Sequence, residues 1–119
     1  MSTSTPVEPI DVELTRAAAI FAALAEPVRL EILAVLAGGG RCVCDIQAAV
    51  PIAANLLSYH LRVLREAELI EGARRGRWID YRVAATAEPV VAGALALAGR
   101  RGGPHESALP TADRGVPSS

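Results

Sequence analysis

The sequence predicts a mainly α-helical domain with one small β-hairpin, and three observations carry that prediction. Hydrophobic residues make up 51% of the 119-residue chain but aromatic residues only 3%, so the interior must be built from Ala, Leu, Val and Ile, the usual content of packed helices. Apolar residues recur at helical spacing, as in Leu14, Ala17, Ala18, Phe21 and Leu24. Two short strand-like stretches, 69–73 and 78–83, stand apart from the helical segments with a glycine-containing connection between them. At this length the chain is one domain, large enough for a real core.

Each element follows in order. Residues 1–10, rich in Ser, Thr and Pro, are expected to be a flexible arm, with the folded domain over 11–98. The first helix is expected over 11–25. Glu26-Pro27 then breaks and restarts the chain, because Pro suits the first turn of a helix. The second helix runs over 27–36 with Val28, Ile32, Leu33 and Leu36 on one face, and Gly38-Gly39-Gly40 ends it in a turn. A short helix over 44–50, a turn at Val50-Pro51-Ile52 and a longer helix over 53–67 come next, the last with Leu57, Leu61 and Leu64 toward the core. The two strands follow, with Arg74-Arg75-Gly76-Arg77 as the hairpin tip. A final helix over 88–98 is apolar on nearly all sides, which points to burial against another chain. The Gly-, Pro- and Ser-rich segment 99–119 reads as a disordered tail.

The net charge of −1 hides an uneven distribution, and all twelve basic residues are arginine. Residues 1–52 hold three arginines against six acidic residues, a net of −3, whereas 53–83 hold six arginines against four acidic residues, a net of +2. The second region is where an acidic partner such as nucleic acid would be met. No apolar run reaches the roughly 18 residues that span a bilayer, and Met1 to Glu8 lacks the basic start and apolar stretch of a signal peptide. A cytoplasmic location without a membrane partner is expected. Cys42 and Cys44 are too few and too close for a secreted disulfide framework, so reduced thiols are expected.

A short helix, a tight turn, a longer helix and a basic hairpin form the layout of a winged helix-turn-helix, whose second helix enters the major groove while the wing reaches the backbone. A plain α+β domain with a solvated basic hairpin has the same outline. The residues narrow the choice. Leu24-Ala25-Glu26-Pro27-Val28-Arg29-Leu30-Glu31-Ile32-Leu33, Cys42-Val43-Cys44-Asp45-Ile46, Ser58-Tyr59-His60-Leu61-Arg62-Val63-Leu64 and Gly76-Arg77-Trp78-Ile79-Asp80-Tyr81 occur in this order. Together they resemble the ArsR/SmtB family of metal-responsive repressors over about residues 12–98.

The resemblance implies a homodimer joined through the first and last helices, with Leu14, Phe21, Val91 and Leu95 at the interface, bound to double-stranded operator DNA and released by an inducer. It implies base reading by Asn55, Ser58, Tyr59 and Arg62 and phosphate contacts from Arg65, Arg74, Arg75 and Arg77. Ala53 and Ala54 stand where family members often carry Ser or Thr and Gln, so one helix cap is missing and the operator sequence does not carry over. His60, in the family's Ser-x-His-Leu pattern, reads as a structural histidine rather than a ligand.

The resemblance makes Cys42 and Cys44 the thiolate motif of arsenite-, antimonite- and cadmium- or lead-sensing members. Soft sulfur donors select soft or borderline ions. Residues two apart converge on one ion only if Cys42 lies before the first helical turn, which the preceding glycines permit. Two thiolates do not complete a site, and Gln47 stands where arsenite sensors add a third cysteine. The N-terminal arm offers Glu8, Asp11 and Glu13, without Cys or His. Arsenite held by two sulfurs plus a small thiol or water is the expected inducer, with Sb(III), Cd(II), Zn(II) and Ni(II) as further ions and no cofactor required. The family's other site, on the last helix, has no counterpart in residues 90–97, and His105, Glu106 and Asp113 in the tail read as solvated. A regulator of the same fold answering nickel, redox state or a partner protein stays open, as does a dimeric interaction module that does not touch DNA. An enzyme is not expected, because no nucleophile–His–acid set, paired-carboxylate cleft, phosphate-cradling loop or cofactor motif is present in the sequence.

Overall fold

The computed structural model describes residues 11–99. The arm expected over 1–10 and the tail beyond Gly99, with His105, Glu106 and Asp113, lie outside the described residues.

Helix α1 spans Val12–Leu24 and is started by Asp11, whose carboxylate accepts from the Glu13 N–H at 2.8 Å. Such a cap satisfies one of the unpaired donors of the first turn and is worth about 1 kcal/mol. The helix stops at Ala25 because Pro27 opens α2, Pro27–Ala37. Glu26 caps α2 by accepting from the Arg29 N–H at 3.1 Å. Ile32, Leu33 and Leu36 turn this helix into the centre of the core. Gly39, at φ 132°, takes a backbone that a side-chain-bearing residue resists and ends the helix sharply.

The sheet has three strands, not two. A two-residue strand β1, Arg41–Cys42, pairs antiparallel with the hairpin, in the order β1-β3-β2. Its register places Arg41 opposite Tyr81 and Cys42 opposite Asp80. Helix α3, Val43–Ala49, starts directly on Cys42, and α4, Ala54–Glu66, follows a turn over 50–53. Gln47 Nε2 donates to the Ile52 carbonyl at 2.8 Å and holds that turn closed. Leu57, His60, Leu61 and Leu64 form the buried face of α4. Its C-terminus closes with Glu68 N–H to Arg65 carbonyl at 2.9 Å and Leu69 N–H to Leu64 carbonyl at 3.0 Å, which puts Glu68 at φ 62°.

Strands β2, Ile70–Arg75, and β3, Trp78–Val83, form the wing. Pairing continues to Arg75 opposite Trp78, so Arg74 and Arg75 belong to a strand and the tip is Gly76-Arg77 alone. Gly76 at φ 61° supplies the left-handed first position of a two-residue turn. Gly72 also has a packing reason: a Cβ there would sit 3.1 Å from the Tyr81 ring. A 3₁₀ turn, Ala85–Ala87, leads into α5, Glu88–Leu97. Val91 and Leu95 of α5 pack with Leu36 of α2 in a core that is almost wholly aliphatic, as the composition requires. No helix among the described residues is long and apolar enough to cross a membrane.

Candidate nucleic-acid interface

Helix α4 divides cleanly. With its leucines and His60 buried, Asn55, Ser58, Tyr59 and Arg62 fall at positions i, i+3, i+4 and i+7 and are all exposed. They share one outward face of the helix. The Arg62 guanidinium lies 5.7 Å from the centroid of the Tyr59 ring, within cation–π distance. Arg65 is exposed in the last turn of α4. Ala53 provides no side-chain cap, in keeping with the missing cap read from the sequence.

The wing arginines are exposed but not equivalent. Arg75 Nε binds Asp80 Oδ2 at 2.9 Å, across the strand pair. Arg82 meets Glu71 more loosely, at 3.6 Å. Arg74 and Arg77 form no ion pair with another described residue, so they carry the unneutralised charge of the wing.

Cys42 and Cys44 are both free thiols, Cys42 half-buried and Cys44 exposed. Cys42 is the residue before α3 and is extended, at φ −78° and ψ 166°, so it lies before the first turn. Both cysteines line an open cleft of about 290 Å³ with Asp45 of α3 and with Arg75, Trp78 and Asp80 of the wing. The sequence reading found the thiols but not their wing neighbours. The signal was the strand register, which places Asp80 opposite Cys42 and was invisible without β1. Among the described residues no group of three or more His, Cys, Asp or Glu side chains is arranged to hold a metal ion. Gln47, tied to the Ile52 carbonyl, is committed to the turn.

The four residues expected at a dimer interface separate into two classes. Leu14 and Phe21 on α1 are 66% and 70% exposed. Val91 and Leu95 on α5 are 2% and 3% exposed and belong to the protomer's own core, because α5 packs that face on α2. The large apolar side chains that α5 leaves at the surface are Val90 and Leu97.

Comparison with known proteins agrees with this architecture. Residues 26–71 match the model of the family described as bacterial regulatory protein, arsR family. The chain is 40% identical over 67 residues to a transcriptional repressor SmtB homolog of Synechocystis, covering 56% of this chain and 51% of that one. It is 42% identical over 62 residues to the arsenical resistance operon repressor of Bacillus subtilis, covering 51% of this chain and 59% of the other. The chain therefore spans little more than half the length of these relatives. Among solved structures it resembles the homodimeric winged helix-turn-helix DNA-binding domain Mb0332 of Mycobacterium bovis, described as a possible ArsR-family regulator. That match has a TM-score of 0.68 and 32% identity, over 73% of this chain and 82% of that one. Family and fold are those of transcriptional regulators rather than enzymes, and the chain belongs to the ArsR family of bacterial regulatory proteins.

Proposed function

We propose that this protein is a homodimeric repressor that binds double-stranded operator DNA through α4 and the wing and lets go when a thiophilic ion binds at Cys42 and Cys44. The observation that carries the DNA reading is the outward face of α4, where Asn55, Ser58, Tyr59 and Arg62 stand in one row over a helix anchored by four buried side chains. Amide, hydroxyl, phenol and guanidinium groups suit base edges in the major groove, and the arginines of the wing suit phosphates. Dimerisation is supported by the exposed Leu14 and Phe21 and by the homodimeric Mycobacterium bovis neighbour.

The sensing reading rests on two reduced thiols lining one cleft with the wing. Sulfur donors fit arsenite first, then Sb(III) and Cd(II), with Zn(II) and Ni(II) as harder competitors. Likeness to the Bacillus subtilis arsenical resistance operon repressor favours arsenite. On this reading the two sulfurs would supply part of the ion's donor set, and its remaining donors would come from a small thiol or water. An ion seated there adjoins Arg75 and Trp78, so it acts on the wing directly.

The test uses reduced, metal-free protein titrated by fluorescence anisotropy onto duplex DNA from its own upstream region, followed by arsenite, antimonite, cadmium, zinc and nickel in separate runs. Trp78 is the chain's one tryptophan, so its emission reports binding in the cleft. Release from DNA and a change in Trp78 emission with one ion, both absent in Cys42→Ser/Cys44→Ser, is the expected result. Tight binding that no ion disturbs discards the sensor and leaves redox state or a partner as the signal. Failure to bind any duplex at low salt leaves a dimeric interaction module.

A further inference from the structure

Arg29 is a half-buried cation on α2 that reaches two other helices. Its Nε donates to the Ala23 carbonyl at 2.8 Å and its Nη2 to the Ala22 carbonyl at 3.4 Å, so it closes the C-terminus of α1, which has no basic residue in its own last turn. Its Nη1 lies 3.1 Å from Nδ1 of His60 on α4. A guanidinium can only donate, so a hydrogen bond between the two requires Nδ1 as the acceptor, with the ring proton on Nε2. Glu26 Oε1 lies 4.0 Å from the same Nδ1, outside hydrogen-bond range, and accepts from the Arg29 backbone instead.

The contacts continue outward. His60 is 6% exposed, and its ring meets that of Tyr59 edge-on, with centroids 5.2 Å apart and planes at 62°. Tyr59 in turn carries Arg62 against its face. A line of contacts thus runs from the end of α1, the helix that exposes Leu14 and Phe21, to the two largest side chains on the outward face of α4. A histidine needed only to fill the core would not require an acceptor nitrogen aimed at a cation.

We infer that Arg29 and His60 are positioning residues of the DNA interface, a tie that fixes the rotation of α4, and with it Tyr59 and Arg62, against α1. The inference rests on the DNA-binding reading above. In a dimer joined through α1, this tie sets how each recognition helix is presented to its half-site. Its loss misplaces base contacts while leaving the phosphate contacts of the wing, which supply sequence-independent affinity.

The full chain is titrated onto its own upstream duplex and onto a scrambled duplex of the same length and composition. His60→Leu keeps bulk without an acceptor, Arg29→Met keeps the stem without the cation, and His60→Asn returns an oxygen near the position of Nδ1. His60→Leu and Arg29→Met are expected to weaken binding to the upstream duplex by about tenfold, the scale of one charge-assisted hydrogen bond, and to the scrambled duplex by less than about twofold. His60→Asn restores most of the loss, and the double variant is no worse than the weaker single one, since both remove the same tie. Unchanged specific binding, equal losses on both duplexes, or additive losses in the double variant overturn the inference. Nitrogen NMR of the wild type tests it without any variant having to fold: Nδ1 of His60 is expected to carry no proton, and an Nδ1–H signal overturns it. A wild type that binds neither duplex refutes the DNA reading itself, one that binds both equally refutes base reading by α4 and the tie with it, and one that distinguishes them with unaffected variants refutes only the tie.

Discussion

At the scale of single residues, two backbone and charge details lead to measurable outcomes. Glu68 adopts a left-handed conformation to close α4, a place usually taken by glycine. The Cβ penalty there is about 1–2 kcal/mol, partly offset by the greater entropy that glycine has in the unfolded chain. Glu68→Gly is therefore expected to stabilise the protein by about 0.5–1 kcal/mol, read as a higher urea midpoint at fixed protein concentration. A lower midpoint with an unchanged slope would show that the Glu68 side chain stabilises the folded protein by more than its backbone strain costs. Arg75 and Arg77 provide the second case, because Asp80 sits 2.9 Å from the first and the second has no ion pair with a described residue. Arg77→Ala should reduce the slope of log affinity against log salt by about 1, and Arg75→Ala by less, since its charge is already shared. Equal reductions would mean that Asp80 lets go of Arg75 when DNA binds.

At the scale of elements, the unit that presents the interface is the α3–turn–α4 pair, and its two joints are unequal. Gln47 locks the turn through the Ile52 carbonyl, while α4 begins at Ala53 without a side-chain cap. Ala53 has φ −59° and ψ 145°, a backbone that a capping serine adopts without strain. Ala53→Ser should therefore raise stability by about 1 kcal/mol, and Gln47→Ala should lower it by about as much, both read by thermal unfolding. A neutral Gln47→Ala would place the turn's rigidity in Val50 and Pro51 instead. These joints also show what was legible in the sequence. The helices announced themselves because leucine spacing, Pro27 and the triple glycine act locally, and the outward row of α4 followed from its buried one. Strand β1 did not, since two residues carry no period and exist as a strand only through pairing with β3. For the same reason the thiols could be named while their cleft, shared with Trp78 and Asp80, could not. Helix α5 was legible as apolar but not in its facing. Its uniform apolarity pointed to a partner chain, but hydrophobicity on every side does not say which side the protomer keeps, and α2 takes Val91 and Leu95.

At the scale of the whole molecule, the protomer is satisfied inside and incomplete outside. Ala23 is the one fully buried residue of α1, while Val12, Leu14 and Phe21 of that helix are exposed. A thirteen-residue helix with so little packing is marginal by itself, because helices in proteins draw most of their stability from a covered apolar face. In the homodimer proposed above, a second copy would cover it. In the proposed dimer two linked recognition helices would engage two half-sites, so the second contact would be intramolecular and affinity would rise well above that of one protomer. Phe21→Glu tests this directly, as it places a charge where a large apolar surface should be buried. Sedimentation velocity is expected to show a monomer, with operator affinity reduced by at least about a hundredfold as the bivalent advantage disappears. A Phe21→Glu protein that remains dimeric would move the interface away from α1, toward Val90 and Leu97 of α5, and would change which side of the molecule faces the DNA.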